Sequence, residues 1–284
     1  MPKAILPWKL KKFQQSTGTD YNSILGEPGS NAKTNKNLTP TFTHNLSPAD
    51  TSGVINVCPG AGNCAKTCLH WAGNPVFMDN KKAKRIRQTV AFSRDQNSYL
   101  EMLSVAIVRA LTKLEGRQIA VRLNTTSDIK WEELQFNLSP DVSDFILSKF
   151  GVKLAAGRYN SILELFLDFN IKWYDYTKLK RNWQKCRDLN YHLTTSFDGH
   201  GNTANHKVCV DAIKNGVNVA AAFNIKKSQP FPERINLLGF SLPVLDGDLS
   251  DSRFDDIAGC LIGLRFKQPR ATNYSPEDVA SFCI

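Results

Sequence analysis

Three cysteines in the first quarter of the chain have the residue type and the spacing for metal chemistry. Cys58, Cys64 and Cys68 follow the pattern C-x5-C-x3-C, and thiolates are ligands of both iron-sulfur clusters and zinc. Gly60 and Gly62 lie in the first gap, where they let the backbone fold tightly around a bound group. The pattern therefore predicts one metal-binding unit.

The spacing favours an iron-sulfur cluster over zinc. Structural zinc sites usually combine two short C-x2-4-C pairs, whereas here the gap between Cys64 and Cys68 fits such a pair and the longer gap does not. Three thiolates from one Gly-rich loop suit a [4Fe-4S] cluster, with zinc or unliganded buried thiols as the alternatives. The fourth corner of the cluster would be taken by Cys283, by His70, by solvent or by a substrate.

The elements that must position these cysteines follow a βα pattern. Short β-like runs occur at 39–46, 119–128, 171–178, 191–199, 217–225, 235–248 and 260–267, and helical patterns lie between them at 81–92, 98–114, 159–169 and 206–215. This alternation predicts an α/β fold with a TIM-like (β/α) barrel as one domain over residues 39–284. Residues 1–38 are rich in Lys, Asn, Gly, Ser and Thr and are predicted to be an irregular basic arm.

Polar residues gather where the predicted strands end, which is where barrel enzymes carry their chemistry. They are Asn124, Ser127, Asp128, Trp131, Glu132, Asp175, Thr177, Lys178, Ser196, Asp198, Asp246, Asp248, Arg265 and Lys267. From this set we predict the following cofactor-binding residues, while the catalytic residues stay unassigned: Asn124, Ser127, Asp128, Lys178, Ser196, Asp246, Asp248 and Arg265. Each also has a plainer role as a helix cap or turn residue.

Two acidic groups among these residues admit a second interpretation. Asp246, Asp248 and Asp251 offer oxygen ligands for a divalent cation, although salt bridges to Arg253 explain them more simply. Asp128 and Glu132 would share one face at a helix start and could act as an acid-base pair, although Asp128 as an N-cap is the plainer account.

Several separate blocks of this sequence carry a resemblance to known proteins. They are LSPAD, CPGAGNCAKTCLHWAG, KKAKRIRQTVAF, VRLNTTSDIKWE, WYDYTK, NYHLTTS, LDGDLSDSRFDD and GLRFK. In order and wording these blocks resemble one group of phage-encoded proteins, the gene product 88-like family. The resemblance runs from about Asn31 to the C-terminus. It implies a phage accessory protein with a TIM-like barrel and a cysteine-ligated iron-sulfur cluster, and it implies no reaction or substrate.

Composition limits the classes of function. A hydrophobic share of 42% supports a globular core. No apolar run reaches the length of a membrane span or a signal-peptide core, so we expect a cytoplasmic protein of the infected host. A net charge of +10 favours an anionic partner such as nucleic acid. The basic runs KLKK and KKAKRIR, with Trp8, Phe13 and Phe92 nearby, carry that hypothesis.

Three functions fit these observations, and whether the protein is an enzyme is left open. One is radical chemistry of the SAM-dependent type, although the radical-SAM loop has the different spacing C-x3-C-x2-C. Another is a redox or sensing protein whose cluster moves electrons to a partner. The third is a basic nucleic-acid-binding module with a structural zinc or iron-sulfur site.

Overall fold

The computed structural model describes residues 4–29, 37–68, 79–267 and 274–284. The α-helices in these ranges are α1 Trp8–Thr17, α2 Asp79–Arg94, α3 Gln96–Lys113, α4 Pro140–Phe150, α5 Ile162–Leu165, α6 Trp183–Asp188, α7 Thr203–Lys214 and α8 Pro276–Phe282. Helix α3 is buried almost all round, as a helix at the centre of an apolar core must be. It packs against α1, α2 and α4.

A large, mostly parallel sheet forms the frame of the molecule. The strands are β1 Leu25–Gly26, β2 Thr41–His44, β3 Ile119–Arg122, β4 Phe136–Leu138, β5 Gly157–Tyr159, β6 Ile171–Thr177, β7 Tyr191–Ser196, β8 Val219–Phe223, β9 Arg234–Leu237, β10 Phe240–Asp246 and β11 Leu261–Arg265. Across the described residues the sheet order is β1-β2-β3-β6-β7-β8-β11-β10-β9, and β4 pairs separately with β5. Within the described part of the nine-stranded sheet, the edge strands β1 and β9 are antiparallel to their neighbours and the other pairs are parallel.

The first part of the sheet is wound as in a barrel. From β2 through β3, β6 and β7 to β8, each strand lies parallel to and beside the one before it. Right-handed crossovers that always step in the same direction place their helices on one face of the sheet. Trp173 of β6 contacts Phe166, which follows α5, on that face.

The winding changes after β8, and the predicted closed barrel is not found in the part of the chain that the structure describes. The predicted strand 235–248 is instead the antiparallel hairpin of β9 and β10. Next, β11 inserts between β8 and β10 rather than extending the sheet. Without further βα units in the original direction, the sheet does not curl back to pair its two edges. Within the described ranges the architecture is therefore α/β, with β1 and β9 as the outermost strands of the sheet.

The connection from β10 to β11 covers the face of the sheet opposite the helices. This step runs backwards along the sheet, so a right-handed crossover must pass over the other face. The ring of Phe254, in this segment, packs against the rings of Tyr174 and His192, with centroid-to-centroid distances of 5.4 and 6.2 Å. Residues 247–260 thus take the place that the interior of a barrel would have.

The N-terminal stretch predicted to be irregular contains helix α1, which is a correction. Lys9, Lys11 and Lys12 are exposed, whereas Leu10 and Phe13 are buried. Two apolar residues three apart suffice to dock a short helix on the core. Residues 1–3 and 30–36 of the predicted arm lie outside the described residues.

The other predicted helices agree with the structure to different degrees. The patterns at 81–92, 98–114 and 206–215 are confirmed as α2, α3 and α7 with shifts of a few residues at their ends. The pattern at 159–169 yields only the single turn of α5. No helix in the described ranges is long and apolar enough to cross a lipid bilayer.

Candidate metal centre

The cysteine loop, residues 58–68, lies over the carboxyl ends of β6 and β7. It contains a 3-10 turn at Gly62–Ala65. A β-carbon added to Gly60 would lie 3.2 Å from Cβ of Lys178, immediately after β6. The backbone N–H of Cys64 donates to Oδ1 of Asp198, just beyond β7, at 2.9 Å. The loop is therefore positioned by the strand ends.

Asp198 is the main anchor of this loop. Its Oδ2 accepts from the backbone N–H of Asn63 at 2.8 Å and from Nδ2 of Asn202 at 2.7 Å. Its carbonyl oxygen accepts from Nδ2 of Asn63 at 2.8 Å. Asp198 is fully buried, and hydrogen bonds between a buried carboxylate and backbone N–H groups are strong and directional. These hydrogen bonds hold the 3-10 turn next to the end of β7.

Gly62 makes that anchoring possible. Its φ is +46°, in the left-handed region, which glycine occupies without steric cost. A β-carbon at this position would overlap Oδ2 of Asp198 and lie 2.5 Å from Nδ2 of Asn202. The glycine is therefore required by a close approach as well as by its backbone angle.

The other end of the loop is tied to the end of β3. The backbone N–H of Asp128 donates to the carbonyl oxygen of Val57 at 2.8 Å, directly before Cys58. The Cys58 thiol faces the carbonyl oxygen of Thr126, with Sγ 3.6 Å away. The first cysteine is thus held by the loop that follows β3.

The Asp128 side chain then joins this point to β6. It accepts from Oγ1 of Thr177 at 2.8 Å and from the backbone N–H of Lys178 at 2.7 Å. Arg181 donates to Asp128 at 2.6 Å and also binds both oxygens of Glu132. The predicted acid-base pair therefore shares one buried arginine, and Asp128 connects two strand ends rather than capping a helix.

The three thiols lie close enough to alter one another's ionisation. A hydrogen bond from Cys68 lowers the pKa of Cys64 to about 6 against the opposing effect of burial, and the positive charge of Lys178 also lowers it. Burial raises the pKa of Cys58 to about 11, and the negative charges of Asp128 and Cys64 act in the same direction. The pair of Cys64 and Cys68 is therefore favoured to ionise before Cys58.

Two cations border the thiols. Burial lowers the pKa of Lys178, but the negative charges of Cys64, Asp198 and Asp128 raise it above its usual value overall. Burial lowers the pKa of Arg85 in α2, and the negative charge of the nearby Cys68 partly offsets this effect. These positive charges offset the negative charge that three thiolates would bring together.

The donor set fits a cluster, although the thiols are not arranged as a finished ligand set. Among the described residues, no three His, Cys, Asp or Glu side chains are grouped so as to hold a metal ion as they stand. The cysteines nevertheless share one loop and are all half-buried. A bound group would therefore have to draw the thiolates together, while the loop backbone is already fixed at Val57 and Asp198.

Helix α8 packs against the 3-10 turn and carries one candidate for the fourth corner. Lys66 of the loop pairs with Asp278 of α8 at 2.7 Å, and Cys283, at the end of α8, is buried. Burial raises the pKa of the Cys283 thiol to about 11. The other candidate, His70, lies outside the described residues.

Several predicted cofactor-binding residues hold the strand ends together. Oδ1 of the buried Asn124 accepts from Oγ of Ser127, the backbone N–H of Ile129 and Nε1 of Trp131, at 2.8 to 2.9 Å. Ser196 ends β7, and its carbonyl oxygen accepts from Nδ2 of Asn205 at 2.9 Å. These hydrogen bonds fix the ends of β3 and β7, on which the cysteine loop lies.

The predicted acidic group divides between arginines. Arg265 lies 3.1 Å from Asp246 and 3.3 Å from Asp248. Asp251 pairs with Arg122 of β3 at 2.6 Å, and Arg253 pairs with Asp256 at 3.2 Å. Salt bridges therefore account for the three aspartates. The arginines that form them are Arg265 and Arg122, whereas the prediction named Arg253.

The sequence reasoning missed Arg122, which is buried in the centre of the sheet. Its guanidinium lies over the rings of Tyr174 and Tyr176 and 3.8 Å from Asp175. Asp175 accepts from the backbone N–H groups of Leu123 and Asn124. A charged residue inside the apolar run IAVRL was the available signal, because such a residue needs a buried partner.

Comparison with known proteins places the chain in a family. No curated protein and no solved structure matches it. The family model described as Gene product 88 matches residues 8–283, a span that includes the cysteine loop, the anchors at Asp128 and Asp198, and helix α8. The resemblance found in the sequence is thereby confirmed at the level of the family: the chain belongs to the gene product 88 family.

Proposed function

We propose that the protein holds a [4Fe-4S] cluster through Cys58, Cys64 and Cys68 and serves a phage in a redox or radical-SAM-like role in the cytoplasm of its host. The observation that carries the proposal is the convergence of three thiols in one loop pinned to the ends of β3, β6 and β7. Such a cluster supplies one-electron chemistry when bound.

The neighbouring residues suit this role in the same way that outer residues tune other metal centres. Asp198 fixes the backbone of Asn63 and Cys64. Lys178 supplies positive charge next to Cys64 and Cys68. Asp198 thus fixes the backbone that carries the Cys64 thiol, and Lys178 favours the ionised form of that thiol.

The direct test is anaerobic purification followed by absorption and EPR spectroscopy, with iron, sulfide and zinc quantified. We expect about four irons and four sulfides per chain, and their loss in Cys58→Ser, Cys64→Ser and Cys68→Ser. Cys186→Ser and Cys260→Ser make the same change at buried cysteines outside the loop and should keep the metal. A colourless protein with stoichiometric zinc would overturn the proposal.

The ligand at the fourth iron of the cluster decides between an electron-transfer role and a radical-SAM-like role. If Cys283→Ser lowers cluster content or shifts its spectrum, the cluster is fully held by protein, which favours electron transfer. If the cluster is unchanged, an open iron is favoured, and incubation with SAM and dithionite should then release 5'-deoxyadenosine. Absence of that product after full reconstitution would remove the radical-SAM version while leaving the cluster itself in place.

A further inference from the structure

An open cleft of about 650 Å³ lies between α1 and the corner where α2 meets α3. It is lined by Lys9, Lys12, Phe13, Gln15, Ser16, Thr17, Arg94, Asp95 and Ser98. The cysteine loop contributes none of these residues. The cleft therefore needs an explanation of its own.

Positive charge dominates the rim of the cleft. Lys12 and Arg94 are exposed on its two sides, and Lys9 is exposed although its ammonium group also binds Glu101 at 3.1 Å. Arg87 of α2 lies beside Gly18, the residue that follows α1. The basic side of α2 therefore lies next to the C-terminal end of α1. The two basic runs of the sequence thus form one surface, which would attract an anionic polymer.

An exposed aromatic ring stands at the start of the same surface. Trp8 is 66% exposed, and the ammonium group of Lys12 lies 4.8 Å from the centre of its ring. Phe13 and Phe92 are buried and pack on Tyr99, so Trp8 is the ring of the original trio that can stack on a ligand. Cations beside an aromatic platform are the combination that binds single strands.

The floor of the cleft contains a polar group without a protein partner. Ser98 is fully buried, and its hydroxyl has no hydrogen-bond partner among the described residues. The Asp95 carboxylate, which also lines the cleft, accepts from the backbone N–H of Ser98 and caps α3. Its charge is therefore directed at the positive end of the α3 dipole.

We propose that this cleft binds the sugar-phosphate backbone of single-stranded nucleic acid, with Trp8 stacking on a base. Lys12 and Arg94 contact phosphates, and the cleft between them admits one strand. The net charge of +10 adds long-range attraction, but the cleft and the ring give the binding its place and its preference for unpaired bases.

The test is fluorescence anisotropy of the full-length protein with a labelled 20-nucleotide single strand, as DNA and as RNA, over a range of KCl concentrations. We expect salt-dependent binding and a weaker complex with the matching duplex. Lys12→Ala with Arg94→Ala should weaken binding at least tenfold and reduce the slope of log K against log salt by about 1.4, because two phosphate contacts are lost. Trp8→Ala should weaken binding about tenfold, and Trp8→Phe should restore most of it.

A matched control separates the cleft from net charge. Lys153→Ala with Lys207→Ala removes two exposed lysines elsewhere and should change the affinity less than twofold. Equal losses in both double variants, equal affinity for the duplex, or no binding at low salt would each overturn the proposal. The assay does not depend on the metal, so its outcome is separate from that of the cluster.

Discussion

Gly62 is a position where one added methyl group tests how the cysteine loop is held. Gly62→Ala introduces both a left-handed backbone angle for alanine and an overlap with Asp198. Gly53 shares the positive φ but has open space around it, so Gly53→Ala carries only the backbone cost of ~1–2 kcal/mol. We expect a clearly larger loss of unfolding free energy for Gly62→Ala in urea titrations. Equal losses would mean that Asp198 does not fix the loop.

Asp175 predicts a specific pH dependence of stability. Burial raises its pKa from 3.8 to about 7, although Arg122 and the hydrogen bond from Tyr191 oppose this shift. The folded chain then binds the proton more tightly than the unfolded chain, so this stabilising contribution is fully present below pH 3.8 and is lost as the pH rises towards 7. Over that range it amounts to at most about 4 kcal/mol.

The readout is the difference in unfolding free energy between the wild type and Asp175→Asn at several pH values. The asparagine does not titrate, and the other carboxylates cancel in the difference. We expect the wild type to lose stability relative to the variant between pH 4.5 and 7.5. A constant difference across this range would show that Asp175 is already ionised in the folded chain at pH 4.5, as it is in the unfolded chain.

At the residue scale, the sequence predicted the thiols better than it predicted their supports. Cys58, Cys64 and Cys68 form a local pattern that can be read directly. Asp198 was visible as a polar strand end, but its bond to Asn63 spans 135 residues, and nothing in its own neighbourhood indicates that partner. The partner of Arg122 is similarly distant along the chain, because its bond to Asp251 spans 129 residues.

Helix α8 is an element whose docking depends on one close backbone contact. A β-carbon on Gly199 would overlap the carbonyl oxygen of Ser281 in α8. Gly199→Ala should therefore displace α8 from the 3-10 turn and increase hydrogen exchange at the backbone N–H of Cys283 and Ile284, which bond to Val279 and Ala222.

Gly216→Ala is the matched control for this prediction. Gly216 also has a positive φ, and nothing lies within 4 Å of an added β-carbon. Its replacement should destabilise the end of α7 without faster exchange in α8. Normal protection of α8 in Gly199→Ala would contradict the docking described above.

At the element scale, periodicity found the strands of the sheet from β2 onward but missed β1 and did not show how the sheet ends. Each predicted run contains an observed strand because alternating or continuous apolar residues favour strands wherever they pack. The predicted barrel is not found among the described residues because closure depends on the direction of the last crossovers, and Gly239 between β9 and β10 permits a tight hairpin there. Helix α1 was missed because only Leu10 and Phe13 carry its buried face.

The ion pair of Arg122 and Asp251 connects the two faces of the molecule. It joins β3 to the segment that covers the sheet, and both side chains are nearly buried. Arg122→Met should lower the unfolding free energy by about 3–5 kcal/mol, because the buried Asp251 would lose its ion pair with Arg122. Lys113→Met removes an exposed partner of Glu27 and should cost less than about 1 kcal/mol.

A double-mutant cycle checks that the pair itself is responsible. Arg122→Met with Asp251→Leu removes both charges, and its cost should fall well below the sum of the two single substitutions. Additive costs in chemical denaturation would show that the two residues stabilise the protein separately.

The tie between the cysteine loop and Asp198 also has a consequence for synthesis. The 135 residues between Asn63 and Asp198 take on the order of 10 s to translate at typical bacterial rates. During that interval the thiols have left the ribosome, but the strand end that will anchor their loop does not yet exist. The cysteine loop therefore gains its anchor late in synthesis, only when β7 has joined the sheet.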